Sequence, residues 1–462
     1  MVESVITYSI IQKSQLECAS RLDAEYYQPE YLEVVGKLNL LPHKTLEDVS
    51  ESIVSFGAYA LTNFIEWVDD GVPFIVAENV KEGFVSYEGV RYISDKTDEI
   101  LKKSRVQEEQ ILLSMSGSVG NVAIAYNIPS KLNSNQDIVK IRLKEKFSPY
   151  SLAAFLNSKY GRMQVLRLPV GSVQQHIFLW QTKSLLVPIF SSSFTNNIEK
   201  IYKGGLDQLE ISKSLYSLAE DLLLVELGLK DYKPIEELSY IVKLSDVKSA
   251  HRADADYFQP KYGKLISKIK NGKIFSDAVE NLPSRFNPVD QPDKVFKYVE
   301  LSNIDSSIGV IDGYSEVLGQ EAPSRAKRIL KSGDVIVSSV QGSLGKVALV
   351  SQEQDGFLAS TGFFQFRSKE ILPEVLLVLA RSPILQMQLE KQCTGTILTA
   401  VPKEGIKNIV IPIFGKTIQE GIADSVHQSH QAHKKAKELL EKVKREVEEF
   451  IEGRNKKYEN GK

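Results

Sequence analysis

The chain has 462 residues, of which 42% are hydrophobic and 25% charged, with a formal net charge of −2. This length and composition predict roughly two to four ordinary globular domains. The absence of an apolar run of about 18 residues argues against a membrane span, and the first residues lack the pattern of a signal peptide. Two cysteines and six histidines without ligand spacing argue against a disulfide framework or a structural zinc site, and favour a reducing, cytoplasmic setting.

Acidic and basic residues are segregated along the chain. Residues 46–130 carry fourteen acidic against six basic side chains, whereas residues 131–194 carry nine basic against two acidic. Residues 321–415 carry eleven basic against eight acidic side chains. Segregation of this kind is a weak indication of a surface that binds a polyanion. An ordinary scatter of solvated charges is the alternative interpretation.

The first distinctive segment, residues 21–31, reads RLDAEYYQPEY and recurs at residues 252–262 as RADADYFQPKY. The shift of 231 residues is half of the chain, so the sequence contains two tandem copies of one unit. A period this long indicates a duplicated domain and not a solenoid repeat. The motif itself is interpreted as a structural hinge in preference to a ligand contact, and residues 31–38 are predicted to form a short amphipathic helix.

Short β-branched runs at residues 72–77, 111–115, 122–126 and 138–143 predict a strand-rich domain over residues 45–190. Residues 151–166 have apolar side chains at helical spacing and predict one helix, and residues 185–190 predict the closing strand. The second copy repeats this plan with strands at 335–339, 347–350, 363–367 and 409–414 and with a helix at 373–389.

A glycine loop lies between two strands in each copy, GSVG at 117–120 and GSLG at 342–345. Both loops are predicted to be structural turns, since glycine permits positive φ. A second interpretation is that their backbone N–H groups contact a DNA phosphate. The second loop is not a phosphate-binding P-loop, because the sequence around it does not match GxxxxGK[ST].

Each strand-rich domain is followed by a long amphipathic segment, residues 196–229 and 417–451, that predicts a coiled-coil arm. Helices of this length are about 45 Å long. Packed antiparallel, they would hold the two domains apart by about one turn of B-DNA or more. The predicted fold is therefore α+β: two tandem mixed α/β domains separated by two long antiparallel coiled-coil helices, with an internal pseudo-two-fold repeat. The predicted segments are a first domain at 1–194, a helix at 195–231, a second domain at 232–415 and a helix at 416–462.

Over essentially its whole length the chain resembles the specificity subunit of type I restriction-modification systems. The resemblance is carried by the matching segments at residues 21–31 and 252–262 and by the strand–Gly-Ser-x-Gly–strand elements. It is also carried by the long helices that follow each Pro-Ile-Phe sequence. It implies that each domain is a target-recognition domain that reads one half of a bipartite, asymmetric site in double-stranded DNA. It also implies that the helices set the spacing and dock two methyltransferase subunits, with motor-nuclease subunits as further partners.

The resemblance implies that this chain is not itself an enzyme, although the assembled complex methylates adenine in DNA. S-adenosylmethionine, ATP and magnesium are then expected only on partner subunits, with no cofactor and no metal bound here. The sequence agrees, because it lacks the Asp/Asn-Pro-Pro-Tyr/Phe segment with which amino-methyltransferases hold the target amine. Two alternatives stay open: a free-standing DNA nuclease or modification enzyme, and a coiled-coil scaffold that binds only proteins.

Candidate DNA contacts are basic and amide- or hydroxyl-bearing side chains in the predicted loops, because these residue types contact phosphates and read base edges. In the first copy they are Lys102, Lys103, Arg105, Ser118, Asn121, Asn135, Gln136, Gln174, Gln175 and His176. In the second copy they are Arg325, Lys327, Arg328, Gln341, Ser343, Lys346, Lys391, Thr394, Thr396 and Thr399. The strongest candidates are two loops, residues 174–176 and 394–396. For any single residue, an ordinary surface role is the alternative.

Overall fold

The computed structural model describes residues 8–14, 16, 21–55, 63–169, 176–395 and 399–454. The chain divides into two units, of which unit 1 comprises Met1–Gln208 with Lys434–Lys462 and unit 2 comprises Leu209–His433. The predicted bounds gave each long helix a segment separate from the two domains. In the structure, each long helix contributes one stretch to each unit. No helix among the described residues combines the length and the apolarity needed to cross a membrane.

Unit 1 contains eleven strands in the part of it that the structure describes. They are β1 (His43–Thr45), β2 (Ser50–Val54), β3 (Trp67–Val68), β4 (Val72–Ile75), β5 (Gly83–Phe84), β6 (Arg91–Ile93), β7 (Ile111–Ser114), β8 (Val122–Ile124), β9 (Asn133–Ser134), β10 (Ile138–Leu143) and β11 (Leu186–Pro188). Its helices are α1 (Pro29–Asn39), α2 (Leu46–Val49), α3 (Asp95–Ile100), α4 (Pro149–Asn157), α5 (Lys159–Leu166), α6 (Leu179–Lys183) and the first part of α7 (Ser192–Glu226).

The strands of unit 1 form two main sheets and a ribbon. The first sheet has the order β2-β10-β7-β8-β5, and β10 pairs antiparallel with both β2 and β7. The second sheet has the order β3-β6-β4-β9, in which β4 and β9 are parallel, and β1 pairs with β11 as a separate ribbon. All four residues of β7 and the first four of β10 are buried, as the β-branched runs in their sequences predict.

Unit 2 repeats these elements. Its strands are β12 (Gly272–Ile274), β13 (Val279–Asn281), β14 (Val295–Val299), β15 (Ile304–Asp305), β16 (Val310–Ile311), β17 (Ser315–Leu318), β18 (Ala326–Ile329), β19 (Val335–Ser338), β20 (Val347–Leu349), β21 (Leu358–Ser360), β22 (Phe363–Ser368) and β23 (Val410–Pro412). Its helices are α8 (Leu244–Ala250), α9 (Pro260–Ile266), α10 (Phe275–Ala278), α11 (Pro373–Arg381), α12 (Pro383–Gln392), the remainder of α7 and the first part of α13 (Lys416–Ile451).

The sheet topology confirms the duplication. The order β13-β22-β19-β20 in unit 2 matches β2-β10-β7-β8 in unit 1, and the β12–β23 ribbon matches β1–β11. Parallel pairing of β14 with β21 matches that of β4 with β9. This pairing aligns Ser134 with Ala359, because Ser134 pairs with Ile75 as Ala359 pairs with Val299. The predicted mixed α/β duplication with two long helices is therefore confirmed.

The helix predicted over residues 151–166 is two helices, α4 and α5, that meet at Ser158. Ser158 adopts extended backbone angles, its hydroxyl donates to the carbonyl of Phe155, and its side chain caps the amide of Gly161. A Cβ on Gly161 would lie 2.1 Å from the carbonyl oxygen of Phe155, so only glycine fits this sharp bend. In unit 2 the corresponding break between α11 and α12 follows from Pro383, which cannot continue a helix.

The duplicated motif ties the start of each copy to the end of a helix in the same unit. Nη1 of Arg21 donates to the carbonyl of Leu168 (2.8 Å) and Nε donates to Asp23 (2.8 Å). In unit 2 Nη2 of Arg252 donates to the carbonyl of Cys393 (3.0 Å) and Nε to Asp254 (2.9 Å). These arginines fix the backbone that follows α5 and α12. The arginine and aspartate of the motif therefore make internal contacts, and the interpretation of the motif as a hinge stays a prediction.

Replacing Arg21 with alanine is expected to lower the free energy of unfolding by about 1–3 kcal/mol, because a charged donor to two backbone carbonyls and to Asp23 is lost. Replacing Arg21 with lysine should recover only part of this loss, since an ammonium group lacks the planar fork of donors. Urea denaturation followed by circular dichroism measures both. Equal stability of Arg21→Ala and the natural protein would contradict the stabilising role of these contacts.

The two long helices pack antiparallel within each unit. In unit 1 the ring centroids of Phe194 and Phe450 are 4.7 Å apart, and Nδ2 of Asn197 donates to Glu446 (2.9 Å). A Cβ on Gly205 would meet Leu440 at 3.2 Å, so the glycine allows close approach. In unit 2 the hydroxyl oxygens of Ser212 and Ser429 are 3.1 Å apart and buried. Gly205 and Ser429, which stand among the apolar positions of the two helices, therefore lie at contacts between them.

Candidate nucleic-acid interface

In unit 2, four loops at one edge of the sheets are joined by backbone hydrogen bonds. The amide of Thr361 donates to the carbonyl of Arg325 (2.7 Å), and the amide of Ser339 donates to the carbonyl of Gly362 (2.9 Å). The amide of Gln341 donates to the carbonyl of Thr399 (2.9 Å). These bonds hold the loops at 323–325, 339–343 and 361–362 and the segments at 394–395 and 399–400 together, although they are far apart in the sequence. We call this group the unit 2 loop cluster.

Unit 1 contains the same framework. The amide of Met115 donates to the carbonyl of Asp137 (2.8 Å), and the amide of Ile177 donates to the carbonyl of Met115 (3.1 Å). These bonds correspond to those that Ser339 makes with Gly362 and Val401 in unit 2. The loops at 115–120 and 135–137 and the segment at 176–178 therefore form the unit 1 loop cluster. A shared backbone framework thus carries different side chains in the two units.

The unit 2 loop cluster presents several of the predicted residues to solvent. Arg325, Gln341 and Thr394 are exposed, and Thr399 is half-buried with its hydroxyl donating to the carbonyl of Gly395 (3.3 Å). Ser343 is half-buried and its hydroxyl is engaged by Ser338 (2.9 Å). The structure therefore brings together a cation, an amide and hydroxyl groups, which is the combination that phosphate contact and base reading require.

In unit 1 the exposed predicted residues are Ser118, at the glycine turn, and Lys102 and Lys103, on a short 3-10 helix. Gly117 and Gly120 both have positive φ (65° and 86°), as the turn interpretation predicts. Gln136 and His176 are half-buried, and the ring of His176 lies 5.5 Å from that of Phe178. Three further predicted residues, Gln174, Gln175 and Thr396, lie outside the described residues.

Other predicted residues already have partners within their unit. Nδ2 of Asn121 donates to the carbonyl of Val80 (3.1 Å), and Nδ2 of Asn135 donates to Asp137 (3.0 Å). Nε of Arg105 donates to Asp98 (3.0 Å), and hydrogen bonds to Asp98 and Glu99 raise the pKa of Arg105. These contacts position the loops beside the exposed residues.

Three basic candidates in unit 2 also have internal partners. Nζ of Lys327 donates to Asn287 (3.3 Å), and Nζ of Lys346 donates to the carbonyl of Ile304 (3.0 Å). Lys391 lies 4.7 Å from the ring centroid of Tyr257, and burial lowers the pKa of its amine. The amine of Lys391 therefore contacts Tyr257, an aromatic residue of the duplicated motif.

Arg328 is placed differently from the prediction. Its side chain is buried, with 3% of the residue exposed, and Nη1 donates to the carbonyl of Leu282 (2.9 Å). Burial lowers the pKa of Arg328 to about 10. Its position in β18 alternates with half-buried neighbours, so the sequence alone could not tell which face it occupies. Because the guanidinium does not reach the surface, Arg328 is not part of the interface proposed below.

Two features of these clusters were missed by sequence reasoning. Phe178 and Trp180 are exposed beside the unit 1 loop cluster, where aromatic rings are suited to stacking on bases or sugars. Beneath the same cluster, Lys140 of β10 is buried, with its Nζ donating to the hydroxyl oxygen of Ser134 (2.9 Å). Burial lowers the pKa of Lys140 to about 8. The sequence signal for Lys140 is a lysine within the apolar run Ile138–Ile141 of β10.

No protein-family model and no curated protein matches the chain. Among solved structures it is similar to the S subunit of a type I restriction-modification system from M. genitalium, with 13% identity and a TM-score of 0.38 over 88% of this chain and 94% of that chain. It is also similar to the HsdS subunit from Thermoanaerobacter tengcongensis, with 11% identity and a TM-score of 0.30 over 89% and 96% of the two chains.

A third similar structure is the type IIG restriction endonuclease BpuSI, with 9% identity and a TM-score of 0.29 over 42% of this chain and 30% of that chain. Because these identities and TM-scores are low, function has to be argued from the residues of this chain.

Proposed function

We propose that this chain is the non-catalytic DNA-recognition subunit of a type I restriction-modification complex. Each unit reads one half of a bipartite, asymmetric site in double-stranded DNA through its loop cluster. The two long helices dock two methyltransferase subunits, and motor-nuclease subunits are further partners. Adenine methylation and its S-adenosylmethionine belong to the methyltransferase partners, and ATP and magnesium to the partner subunits. Such a complex acts on the genome, so the proposal implies a cytoplasmic protein.

The observation that carries this proposal is the pair of loop clusters. Two copies of one backbone framework present different side chains: Ser118, Gln136 and His176 in unit 1, and Arg325, Gln341 and Thr394 in unit 2. Equal side chains would suit a symmetric site, whereas unequal side chains on equal frameworks suit two different half-sites. Duplication at the level of the sequence motif and of the sheet order supports the same conclusion.

The test is methylation mapping of host DNA with the chain co-expressed with its methyltransferase partner. Exchanging residues 21–190 for the equivalent domain of a related chain should change one half of the methylated motif and leave the other half and the spacing unchanged. A change in both halves, or in neither, would contradict a modular reader. Methylation that survives deletion of this chain would exclude it as the specificity subunit.

Replacing the exposed Arg325 with alanine is expected to weaken DNA binding by the assembled complex about tenfold at physiological salt. Because a phosphate contact releases counterions, the slope of log affinity against log salt should become shallower by about one. Lys270→Ala removes an exposed cation of unit 2 that lies outside the loop cluster and outside the long helices, and serves as the control. If both variants bind with the natural salt dependence, Arg325 does not contact phosphate.

DNA binding as a function of salt concentration, together with an activity assay without partners, separates the proposal from its two alternatives. A scaffold that binds only proteins shows no salt-dependent DNA binding even with its partners present. A free-standing enzyme cleaves or methylates DNA without a partner when magnesium or S-adenosylmethionine is added.

A further inference from the structure

A cavity of about 300 Å³ opens in unit 1, where the starts of α4 and α7 meet the β1–β11 ribbon. Its walls are largely apolar and are contributed by Val49, Leu143, Phe147, Leu152, Val187 and Phe190. Ser151 also lines the cavity; it is 4% exposed, and its hydroxyl oxygen has no hydrogen-bond partner. A buried hydroxyl of this kind is costly unless something bonds to it. The cavity therefore lacks a hydrogen-bonding group that would satisfy the hydroxyl of Ser151.

The cavity is also electropositive. Lys44 and Lys146 line it, and neither amine forms an ion pair with a described residue. The nine-residue helix α4 and the long helix α7 both begin here, and helix N-termini carry partial positive charge. Two carboxylates are close. Hydrogen bonds from Thr45, and after them the charges of Lys44 and Lys144, lower the pKa of Asp48, while Glu199 accepts from the hydroxyl of Ser148 (3.1 Å) and pairs with Lys203 (2.7 Å). Two amines and two helix N-termini therefore remain available to an anion.

At the corresponding place in unit 2, side chains of the unit itself pair with one another. The β1–β11 and β12–β23 ribbons align Lys44 with Lys273, and the chain that follows them aligns Thr195 with Gln419. The loop that leads to α4 is one residue longer than the loop that holds Glu370 in unit 2, and Lys146 lies in that longer loop. In unit 2 Lys273 and Glu370 form an ion pair (2.6 Å). The side chain of Gln419 fills the space, accepting from the amide of Leu372 (2.9 Å) and donating to the carbonyl of Phe414 (3.0 Å).

In unit 1 the longer loop places Lys146 in the cavity wall, and a shorter threonine stands in place of the glutamine. The position of Ser151 is taken in unit 2 by the buried, apolar Val375. Unit 1 therefore has space, positive charge and a free hydroxyl where unit 2 has an ion pair, a glutamine side chain and an apolar residue.

We propose that this cavity of unit 1 binds an apolar anion. Its carboxylate is held by Lys44, Lys146 and the hydroxyl of Ser151, and its apolar body packs against the walls around Leu152 and Val187. The volume suits a body the size of one aromatic side chain with a short linker. The source is either a free organic acid or the acidic end of a peptide segment, which offer the same chemistry. This site does not depend on DNA recognition, because none of its residues belongs to a loop cluster.

The full chain is titrated with 1-anilinonaphthalene-8-sulfonate, an apolar body with an anionic group, and the probe's fluorescence is then competed with 4-phenylbutyrate. Competition is expected for the natural protein. The double variant Lys146→Glu/Thr195→Gln puts a carboxylate in place of one amine and the glutamine of unit 2 in place of the threonine, and should weaken competition by 4-phenylbutyrate at least tenfold. Lys200→Glu, an exposed lysine further along α7, makes the same charge change and should leave competition unchanged.

Several outcomes would overturn the proposal. The first is unchanged competition in the double variant when circular dichroism shows a folded protein. The second is equal competition by the uncharged amide of 4-phenylbutyrate, since it would remove the role of the amines. If the double variant does not fold, the single variant Thr195→Gln tests the occupied volume alone, and natural affinity there would also exclude the cavity as the site. A peptide that ends in phenylalanine with a free carboxylate, compared with its amidated form, tells a peptide source from a free acid.

Discussion

Replacing Arg367 with methionine is expected to lower the free energy of unfolding by about 3–5 kcal/mol, because it leaves a buried carboxylate without its cation. Asp334 stands at the start of β19 with 1% of its side chain exposed, and it accepts from Nε (2.8 Å) and Nη2 (3.0 Å) of Arg367. After the substitution the described donor to this side chain is Nε2 of Gln365 (2.7 Å). One amide does not replace a bidentate guanidinium.

The structure supplies a matched control for this variant. Arg142 occupies the equivalent position in β10 of unit 1, but its partner Glu51 is exposed, so Arg142→Met should cost about 1 kcal/mol or less. Urea denaturation at pH 7 measures both variants. Equal losses in the two variants would contradict the buried-pair argument.

This pair also bears on the candidate interface. Asp334 directly precedes β19. That strand ends at Ser338, immediately before the loop that carries Gln341. Gln365 lies on β22, directly after the loop at 361–362. Loss of the Asp334–Arg367 pair therefore loosens the two strands that support the unit 2 loop cluster. In the assembled complex, recognition of one half-site should become temperature-sensitive in Arg367→Met before the other does.

The sequence predicted the elements whose signal is local. Runs of β-branched residues predicted β10 with its observed bounds, Ile138–Leu143, and apolar spacing predicted both long helices to within a few residues. The duplicated motif predicted the repeat, which the sheet order confirms. The break at Ser158 was missed, because apolar spacing continues across it and the bend depends on contact between Gly161 and the carbonyl of Phe155.

The candidate site was harder to predict, because tertiary hydrogen bonds assemble it. The bond from the amide of Gln341 to the carbonyl of Thr399 joins residues with no pattern that links them in the sequence. Residue type alone also cannot separate an exposed cation such as Arg325 from the buried Arg328, three positions later. The loops were therefore predictable as loops, whereas the side chains that reach solvent were not.

Replacing Lys140 with methionine is expected to stabilise the protein by about 2 kcal/mol at pH 7. Lowering the pKa of this amine from 10.5 to about 8 corresponds to a penalty of about 3 kcal/mol on its protonated form in the folded state. Methionine fills a similar volume without charge, and its gain is offset by about 1 kcal/mol for the lost hydrogen bond to Ser134. Gln365 holds the equivalent position in β22, so the framework accepts an uncharged side chain there.

The pH dependence identifies the cause. The folded-state pKa of Lys140 lies below its unfolded value, so between pH 8 and 10.5 the unfolded chain binds more protons and the natural protein gains stability as the pH rises. The advantage of Lys140→Met should therefore be complete below about pH 8, fall through this window and reach zero before pH 10.5, where the lost hydrogen bond leaves a deficit of about 1 kcal/mol. Lys81→Met, at an exposed lysine, should show neither the gain nor the window. A gain that is independent of pH would mean that packing, and not the buried charge, stabilises the variant.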